Sequence, residues 1–339
     1  MKKVAVIILN WEGEKLLREY LPKVIATTDP ELADVIVADN GSNDGSVRLV
    51  SEEFPTVKLH RFLRNHGYAD GYNRAIAEYR DYPITVLLNS DVAPGEGWLQ
   101  PLVDFLEANP QAGACQPKVL SYREPERFEY AGACGGYIDR NGYPYCRGRL
   151  FADCEIDHGQ YDSIAEVFWA TGAALAIRTD LYLEAGGLDP EFFAHMEEID
   201  LCWRIKLMGY KIYAVPQSVI YHLGGGSLPA NSPRKTFLNF RNNLVMMHKN
   251  LPDNVRWRRL FVRRLLDMLA WARFVFARDW DNAFAVWRAH RDYVRMKREY
   301  KSTHPKEDLL VGRPNIVVQY FIKGRKKFSD LVMPGKSAR

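Results

Sequence analysis

Val86-Leu87-Leu88-Asn89-Ser90-Asp91 is an apolar run that stops on an amide, a hydroxyl and an acid. A buried strand that delivers an acid at its carboxyl end is how open α/β sheets build ligand sites. Three more runs behave alike. Val4 to Leu9 ends in Asn10-Trp11, Val35 to Ala38 ends in Asp39-Asn40-Gly41-Ser42, and Val57 to Phe62 leads into Asn65-His66-Gly67. Helical spacing fills the intervals at 13–26, 45–53, 69–80 and 96–109. The alternation over residues 3–120 predicts an α/β fold with a doubly wound, mostly parallel sheet, its strands buried on both faces. Acids, amides and glycines gathered at one sheet edge suggest a nucleotide and its phosphates.

The 339 residues, 47% of them apolar, suffice for one large domain plus an appendage or for two domains. The charge is asymmetric: residues 1–230 carry 21 Lys and Arg against 33 Asp and Glu, and residues 231–339 carry 25 against 9. The acidic half suits a metal or a carboxylate-rich site. The basic half suits nucleic acid, an anionic membrane or a phosphorylated lipid. Five cysteines without a Cys-x-x-Cys pair argue against a zinc site and read as reduced thiols of a cytoplasmic protein. Met1-Lys2-Lys3 and the short run before Asn10 read as a first strand, not as a signal peptide.

Residues 121–168 are rich in Gly, Tyr, Arg and Cys and are expected to form loops and short hairpins over the sheet. Strands are expected at Ala173–Ile177 and Lys211–Val215, with a short helix inside Pro190–Gly209 and a hinge at Gly224-Gly225-Gly226-Ser227. From 234 onward the pattern is helical. In 255–278 Trp257, Leu260, Phe261, Leu265, Met268, Leu269, Ala272, Val275 and Phe276 recur at spacings of three and four, with arginines filling much of the rest. The expected division is a catalytic domain over 1–232 (a nucleotide half to about 120 and an acceptor half to 232), a basic amphipathic helical region over 233–300 and a basic tail over 301–339.

Asp39 could accept the imide N–H of a pyrimidine, or simply cap a turn. In Asn65-His66-Gly67-Tyr68-Ala69-Asp70-Gly71-Tyr72-Asn73 the glycines permit close backbone approach and the helix start favours an anion, while Asp70 could be an ordinary first-turn acid. Asp91 could bind a divalent ion through oxygen, with His222 as the second ligand. His195-Met196-Glu197-Glu198-Ile199-Asp200 places three acids in four positions after an apolar run. An Asp200–Arg204 pair accounts for part of this, but adjacent buried carboxylates also raise each other's pKa and suit a general base.

In this order and spacing the set resembles the family-2 glycosyltransferases, inverting enzymes with a GT-A fold, over roughly residues 3–230. The similar branch contains rhamnosyltransferase-like enzymes of bacterial surface polysaccharide assembly. The resemblance implies that Asp39 holds the donor's base, with Asn10, Trp11 and Gly41 beside the ribose or base, and that Asp70, Asn73 and Asn89 line the nucleotide-sugar pocket. It places Asp91 and His222 on a Mn²⁺ or Mg²⁺ ion and Glu198 at the base position, Glu197 or Asp200 being alternatives. Two departures stand out: Asn89 occupies the first Asp of the family's Asp-x-Asp motif, and Glu198 replaces the commoner Asp. Arg234 or Lys235 would help to neutralise the leaving group.

The implied partners are a UDP- or dTDP-sugar and a glycan or polyprenyl-linked acceptor. The helix at 255–278 would lie on the anionic inner face of the cell membrane, its alternative being a packed subdomain, and Lys323-Gly324-Arg325-Lys326-Lys327 would be a second anchor or a loose tail. Nucleic acid is not expected as a partner: the tail lacks a binding motif and the front half is acidic. A nicotinamide-dependent oxidoreductase would need Gly-x-Gly-x-x-Gly where this chain has Asn10-Trp11-Glu12-Gly13. A sugar nucleotidyltransferase would carry a Gly-rich basic loop after the first strand, which is absent.

Overall fold

The computed structural model describes residues 3–224, 232–300 and 307–331. Gly225-Gly226-Ser227 of the expected hinge lie outside the described residues, as do the first and last parts of the expected tail. The first half alternates as its sequence pattern requires: β1 (Val4–Asn10), α1 (Glu14–Thr27), β2 (Ala33–Asp39), α2 (Ser46–Glu53), β3 (Lys58–Arg61), α3 (Gly67–Glu78), β4 (Ile84–Leu88), β5 (Val92–Pro94), α4 (Leu99–Ala108) and β6 (Ala112–Ser121). Short hairpin strands follow, β7 (Gly136–Ile138), β8 (Pro144–Cys146), β9 (Arg149–Leu150) and β10 (Asp153–Cys154), and pair into a small second sheet. Then come β11 (Ala165–Val167), β12 (Ala174–Arg178), α5 (Thr179–Glu184), α6 (Glu197–Leu207) and β13 (Lys211–His222). The helices α7 (Pro233–Asn250), α8 (Asp253–Phe276) and α9 (Trp280–Met296) come next, and two short helical turns, Val318–Ile322 and Phe328–Asp330, follow among the described residues.

The main sheet runs β11-β13-β6-β12-β4-β1-β2-β3, with β5 added beside β13. β1, β2, β3 and β4 are parallel, as are β6 and β13, whereas β12 runs antiparallel to both its neighbours. The sheet is therefore mostly parallel, as expected, with β12 and the short β5 and β11 as its antiparallel members. The reversal at β12 is what lets the β6–β13 pair face the carboxyl ends of β4 and β1 across one rim. β1 and β4 are buried on both faces, which explains their unbroken apolar runs.

β13 extends well beyond the expected Val215. It bulges between Val215 and Val219 and then pairs antiparallel with β5, setting His222 opposite Val92. A residue 131 positions after Asp91 is thereby delivered to the turn that follows β4.

The expected boundary at 232 does not separate two cores. Leu244, Val245, Met246 and Met247 of α7 belong to the same buried cluster as Ile7, Leu87 and Leu175. Nor is the described part of the tail loose: Ile316, Tyr320 and Leu331 pack with Tyr145 and Leu150, and the Tyr320 hydroxyl donates to Asp153 at 2.8 Å. The tail thus covers the small sheet.

Candidate active site

Three loops meet at the carboxyl ends of β1, β2 and β4. Asn10 Nδ2 donates to Asp39 Oδ1 at 3.0 Å and to Ser42 Oγ at 3.3 Å, while the Ser42 N–H donates to Asp39 Oδ2 at 3.1 Å. Asp39 is thus fixed, almost fully buried, at the floor of a cavity of about 370 Å³ lined also by Gly41, Ser42, Asn43, Arg61, Phe62 and Leu63. Gly41 has φ +75°, and a Cβ there would stand 2.6 Å from the Arg64 backbone, so only glycine fits. Asn40 ties this loop to the next: it donates to Asn65 Oδ1 and to the Gly67 carbonyl, and the His66 N–H donates to Asn40 Oδ1. Trp11 stands exposed on the rim.

Asp91 and His222 meet as the β5–β13 pairing dictates. Asp91 Oδ1 lies 3.1 Å from His222 Nε2, and the Leu223 N–H donates to the Asp91 carbonyl. On the far side of the ring Glu129 Oε2 lies 3.3 Å from His222 Nδ1. Burial opposes the charged imidazole, but the two carboxylates outweigh it and carry the His222 pKa up to about 10. Burial would raise Asp91, and His222 reverses this, holding the carboxyl below its usual range. Glu129 sets a carboxylate charge beside the ring's second nitrogen without a well-formed hydrogen bond to it, a placement that nothing in the poorly patterned stretch 121–168 announced.

Asn89 links this pair to the acids. Its Nδ2 lies 3.5 Å from His222 Nε2, and its Oδ1 accepts from the Tyr68 hydroxyl at 3.3 Å. A Cβ on Gly172 would stand 2.9 Å from that hydroxyl and 3.7 Å from the Glu198 Cβ, so Gly172 makes room where Tyr68 and Glu198 converge.

The approach to α6 is strained. Phe193, His195 and Met196 all have positive φ, at 65°, 70° and 75°. Non-glycine residues hold such angles only where their surroundings impose them. Here α7 imposes them: Asn242 Nδ2 is placed to donate to the carbonyls of Phe192, Ala194 and His195 at 2.7–2.9 Å, and Arg241 donates to those of Glu191 and Phe192. Asn242 was missed from sequence. Its signal was an amide four positions after buried Leu238 and four before buried Met246, on the face that α7 turns inward.

The three acids of α6 divide in role. Asp200 is fully buried and accepts from Arg204 and Lys249 at 2.9 Å each and from Asn250 at 2.8 Å. Burial would raise it, and the two cations hold it below its ordinary value. Both oxygens are spent on anchoring α7 to α6, which corrects the expectation that Asp200 could be the base. Glu197 and Glu198 each keep a buried oxygen, Oε2, without a hydrogen-bond partner among the described residues. Burial first, then the charge of Glu198, pushes Glu197 well up, and burial pushes Glu198 up to about 7. Glu198 is the less buried of the two.

Two expected pocket residues are placed elsewhere. Both ends of the Asn73 amide are used on the Leu188 backbone and the Tyr182 hydroxyl, so Asn73 braces the loop that leads to α6. Asp70 pairs with Arg74 at 2.8 Å and with His66 at 3.2 Å, as a first-turn acid would. Arg234 lies over the Phe193 ring, while half-buried Lys235 acts on His195 and Glu129 through its charge.

Residues 4–163 match the Glycosyl transferase family 2 profile. An N-acetylglucosaminyl-diphospho-decaprenol L-rhamnosyltransferase of Mycobacterium tuberculosis is 26% identical over 234 residues, which span 64% of this chain and 75% of that one. Among solved structures, GalNAc-T7 with UDP, GalNAc and Mn²⁺ superimposes with a TM-score of 0.57 at 18% identity, over 74% of this chain and 48% of that one. The mannosyltransferase PcManGT of Pyrobaculum calidifontis with GDP-Man and Mn²⁺ does so with a TM-score of 0.53 at 17% identity, over 89% and 77%. The fold is GT-A, and the profile over 4–163 together with the rhamnosyltransferase relative supports a family-2 glycosyltransferase of the rhamnosyltransferase-like branch.

Proposed function

We propose that this enzyme transfers a sugar, with inversion, from a UDP- or dTDP-sugar to a hydroxyl of a polyprenyl-diphosphate-linked glycan. One observation carries the reading: the base-sized cavity over Asp39, the Asp91–His222 pair and the unpartnered Glu198 carboxyl are linked along a single rim by Asn10, Asn40, Asn89 and Tyr68. The polyprenyl acceptor is suggested by the name of the mycobacterial relative.

The donor set fits a divalent ion. Asp91 Oδ1 and His222 Nε2 are 3.1 Å apart, and both would hold the ion once it displaces the proton that they now share, since an imidazole binds a metal only in its neutral form. Glu129, on the opposite ring nitrogen, would orient the histidine. Among the described residues no group of three His, Cys, Asp or Glu side chains suits a metal, so the other positions would fall to donor phosphates and water. The ion would stabilise the departing nucleoside diphosphate.

The protein's own groups do the rest. Glu198 takes the proton from the acceptor hydroxyl as that oxygen attacks the anomeric carbon opposite the leaving group. One displacement gives inversion. Asp39 and Asn10 hold the base, and the imposed backbone of 193–196 aims the carboxyl.

Membrane contact is part of the proposal. α8 is built inside out: it packs through Leu260, Arg263 and Asp267, with Arg263 donating to Asp267 at 2.8 Å and His290 3.2 Å from the same acid. Trp257, Phe261, Leu265, Met268 and Leu269 meanwhile face solvent. This supports an interfacial helix over a packed one. The excess of 25 basic over 9 acidic residues beyond 230 opposes self-association through this face and favours an anionic surface. No described helix is long and apolar enough to cross a membrane.

The test is a donor screen with Mn²⁺ and a short polyprenyl-diphosphate N-acetylglucosamine acceptor. Release of nucleoside diphosphate with formation of a glycosylated lipid supports the reading. Release of pyrophosphate would mark a nucleotidyltransferase instead.

A further inference from the structure

A second cavity, of about 650 Å³, lies between the strained loop, the start of α7 and α9. Three guanidiniums line it, those of Arg234, Arg241 and Arg288, with the rings of Phe193, Phe237 and Phe284. The cations and rings are stacked in pairs: Arg234 sits 4.7 Å over Phe193, while Arg241 and Arg288 sit 5.2 and 5.1 Å from the Phe237 ring. Asp281 is the one acid in the lining. Arg241 is bonded to the carbonyls of Glu191 and Phe192 and to the Asn242 side chain, none of them anionic. Among the described residues, Arg234 and Arg288 likewise have no carboxylate within ion-pair distance. Asp292, Glu191 and Asp189 act on Arg241 from a distance, but none is an ion-pair partner, and three such cations facing one cavity form a site for a multiply charged anion, since guanidiniums bind phosphate oxygens two at a time.

Two neighbours narrow the ligand. Phe193, in one wall, is two residues from His195 and five from Glu198 in the chain, so the cavity abuts the acceptor side of the catalytic loop. It is separate from the nucleotide cavity over Asp39, with which it shares no lining residue. Phe284, in another wall, is exposed and stacks on exposed Trp287 at 5.5 Å, which extends the cavity mouth onto the apolar outer face of the helices. Guanidiniums at one end and phenyl rings leading outward match a molecule with a diphosphate head and an apolar tail.

We infer that this cavity binds the isoprenyl-diphosphate part of the acceptor, Arg234 and Arg288 holding the diphosphate and Phe237 and Phe284 the first isoprene units. This rests on the glycosyltransferase reading above and adds the site at which the lipid is read. Arg241 serves both the cavity and the loop, so engagement of the diphosphate also bears on the segment that carries Glu198.

The experiment is calorimetric titration of the full chain with farnesyl diphosphate, inorganic pyrophosphate, farnesol and UDP, for the wild type and for Arg288→Ala, Arg288→Lys, Phe284→Ser and Arg234→Ala/Arg288→Ala. The expected result is that farnesyl diphosphate binds at least tenfold more tightly than pyrophosphate or farnesol. Arg288→Ala and Phe284→Ser should each weaken it about tenfold, the double arginine variant more, and Arg288→Lys less than Arg288→Ala. Nucleotide affinity should be unchanged in Arg288→Ala, Arg288→Lys and Phe284→Ser, which also shows that these variants are folded. The inference falls if farnesyl diphosphate is displaced competitively by UDP, or if it binds these variants as it binds the wild type. Either result leaves sugar transfer from a nucleotide donor intact as a reading, whereas failure to bind both UDP and dTDP in the presence of Mn²⁺ would strike that reading itself.

Discussion

Asp91 and His222 lie in contact at 3.1 Å because the three residues of β5 pair with the last three of β13, and no nearer route in the chain joins them. In the proposed scheme the pair would stand at the nucleotide-diphosphate end of the site. Asp91→Asn or His222→Ala should weaken Mn²⁺-dependent UDP binding by tenfold or more. Titration of UDP with Mn²⁺ and with a chelator checks this, and equal affinities in the two conditions for the wild-type protein would remove the ion from the scheme. Glu129→Gln should give a milder loss, since a group that orients a ligand typically alters affinity by about 10–100-fold.

Glu198 is the acid of α6 that combines a pKa pushed up to about 7 with partial exposure and a Cβ beside Gly172. Glu198→Gln should lower turnover by about a thousandfold or more, in keeping with the size of general-base effects, with UDP affinity kept. Because the base works only when ionised and burial has raised its pKa to about 7, kcat/KM should rise with pH. The slope should be about tenfold per unit below about 7, with a plateau above. A flat profile between pH 5 and 8 would reassign the proton transfer.

The Asp200 network should behave as structure. Asp200→Ala leaves Arg204 and Lys249 without their shared carboxylate, and breaking a buried pair from one side costs about 3–5 kcal/mol. Asn242→Ala removes the donor that holds three carbonyls of the strained loop and should cost about 1–3 kcal/mol. Chemical denaturation measures both. The sign of the pH effect follows from the direction of the shift. The folded pKa of Asp200 lies below its unfolded value, so its contribution is fully present above the ordinary carboxylate pKa and is lost as pH falls through the lowered value. Wild-type stability should therefore decline in acid more steeply than that of Asp200→Asn.

Which parts of this were legible depends on how local the cause is. The strands ending at Asn10, Asp39 and Asp91 announce themselves because parallel strands buried on both faces are continuous apolar runs and the ligand groups follow in the next residues. His222 could be nominated as Asp91's partner from the sequence but not positioned beside it, since the bulge in β13 and the β5 pairing are tertiary facts. The three acids at 197–200 could be found but not sorted: what makes Asp200 structural is Lys249 and Asn250, half a hundred residues away. Asn73 looked like a pocket residue because its motif is, and its amide turned out to face Leu188. Glu129 lies in a segment whose short hairpins have too little periodicity to read.

The face of α8 was the reading most open to reversal, because an amphipathic stripe points inward in a soluble bundle as readily as it points to lipid. The structure turns Arg263 and Asp267 inward and Phe261, Leu265 and Leu269 outward. Full burial of such a side chain is worth about 1.5–3 kcal/mol. At about 1 kcal/mol each for partial insertion, changing Phe261, Leu265 and Leu269 to Ser should weaken partitioning roughly a hundredfold. Because these side chains already face water, the variant should keep its circular dichroism and its UDP affinity. Wild-type protein should sediment with vesicles containing phosphatidylglycerol and detach as salt is raised, since screening shortens the reach of the arginines to about 10 Å at 0.1 M. Sedimentation with neutral vesicles to the same extent, or retention by the triple variant, would show that the outward stripe serves something other than an anionic bilayer.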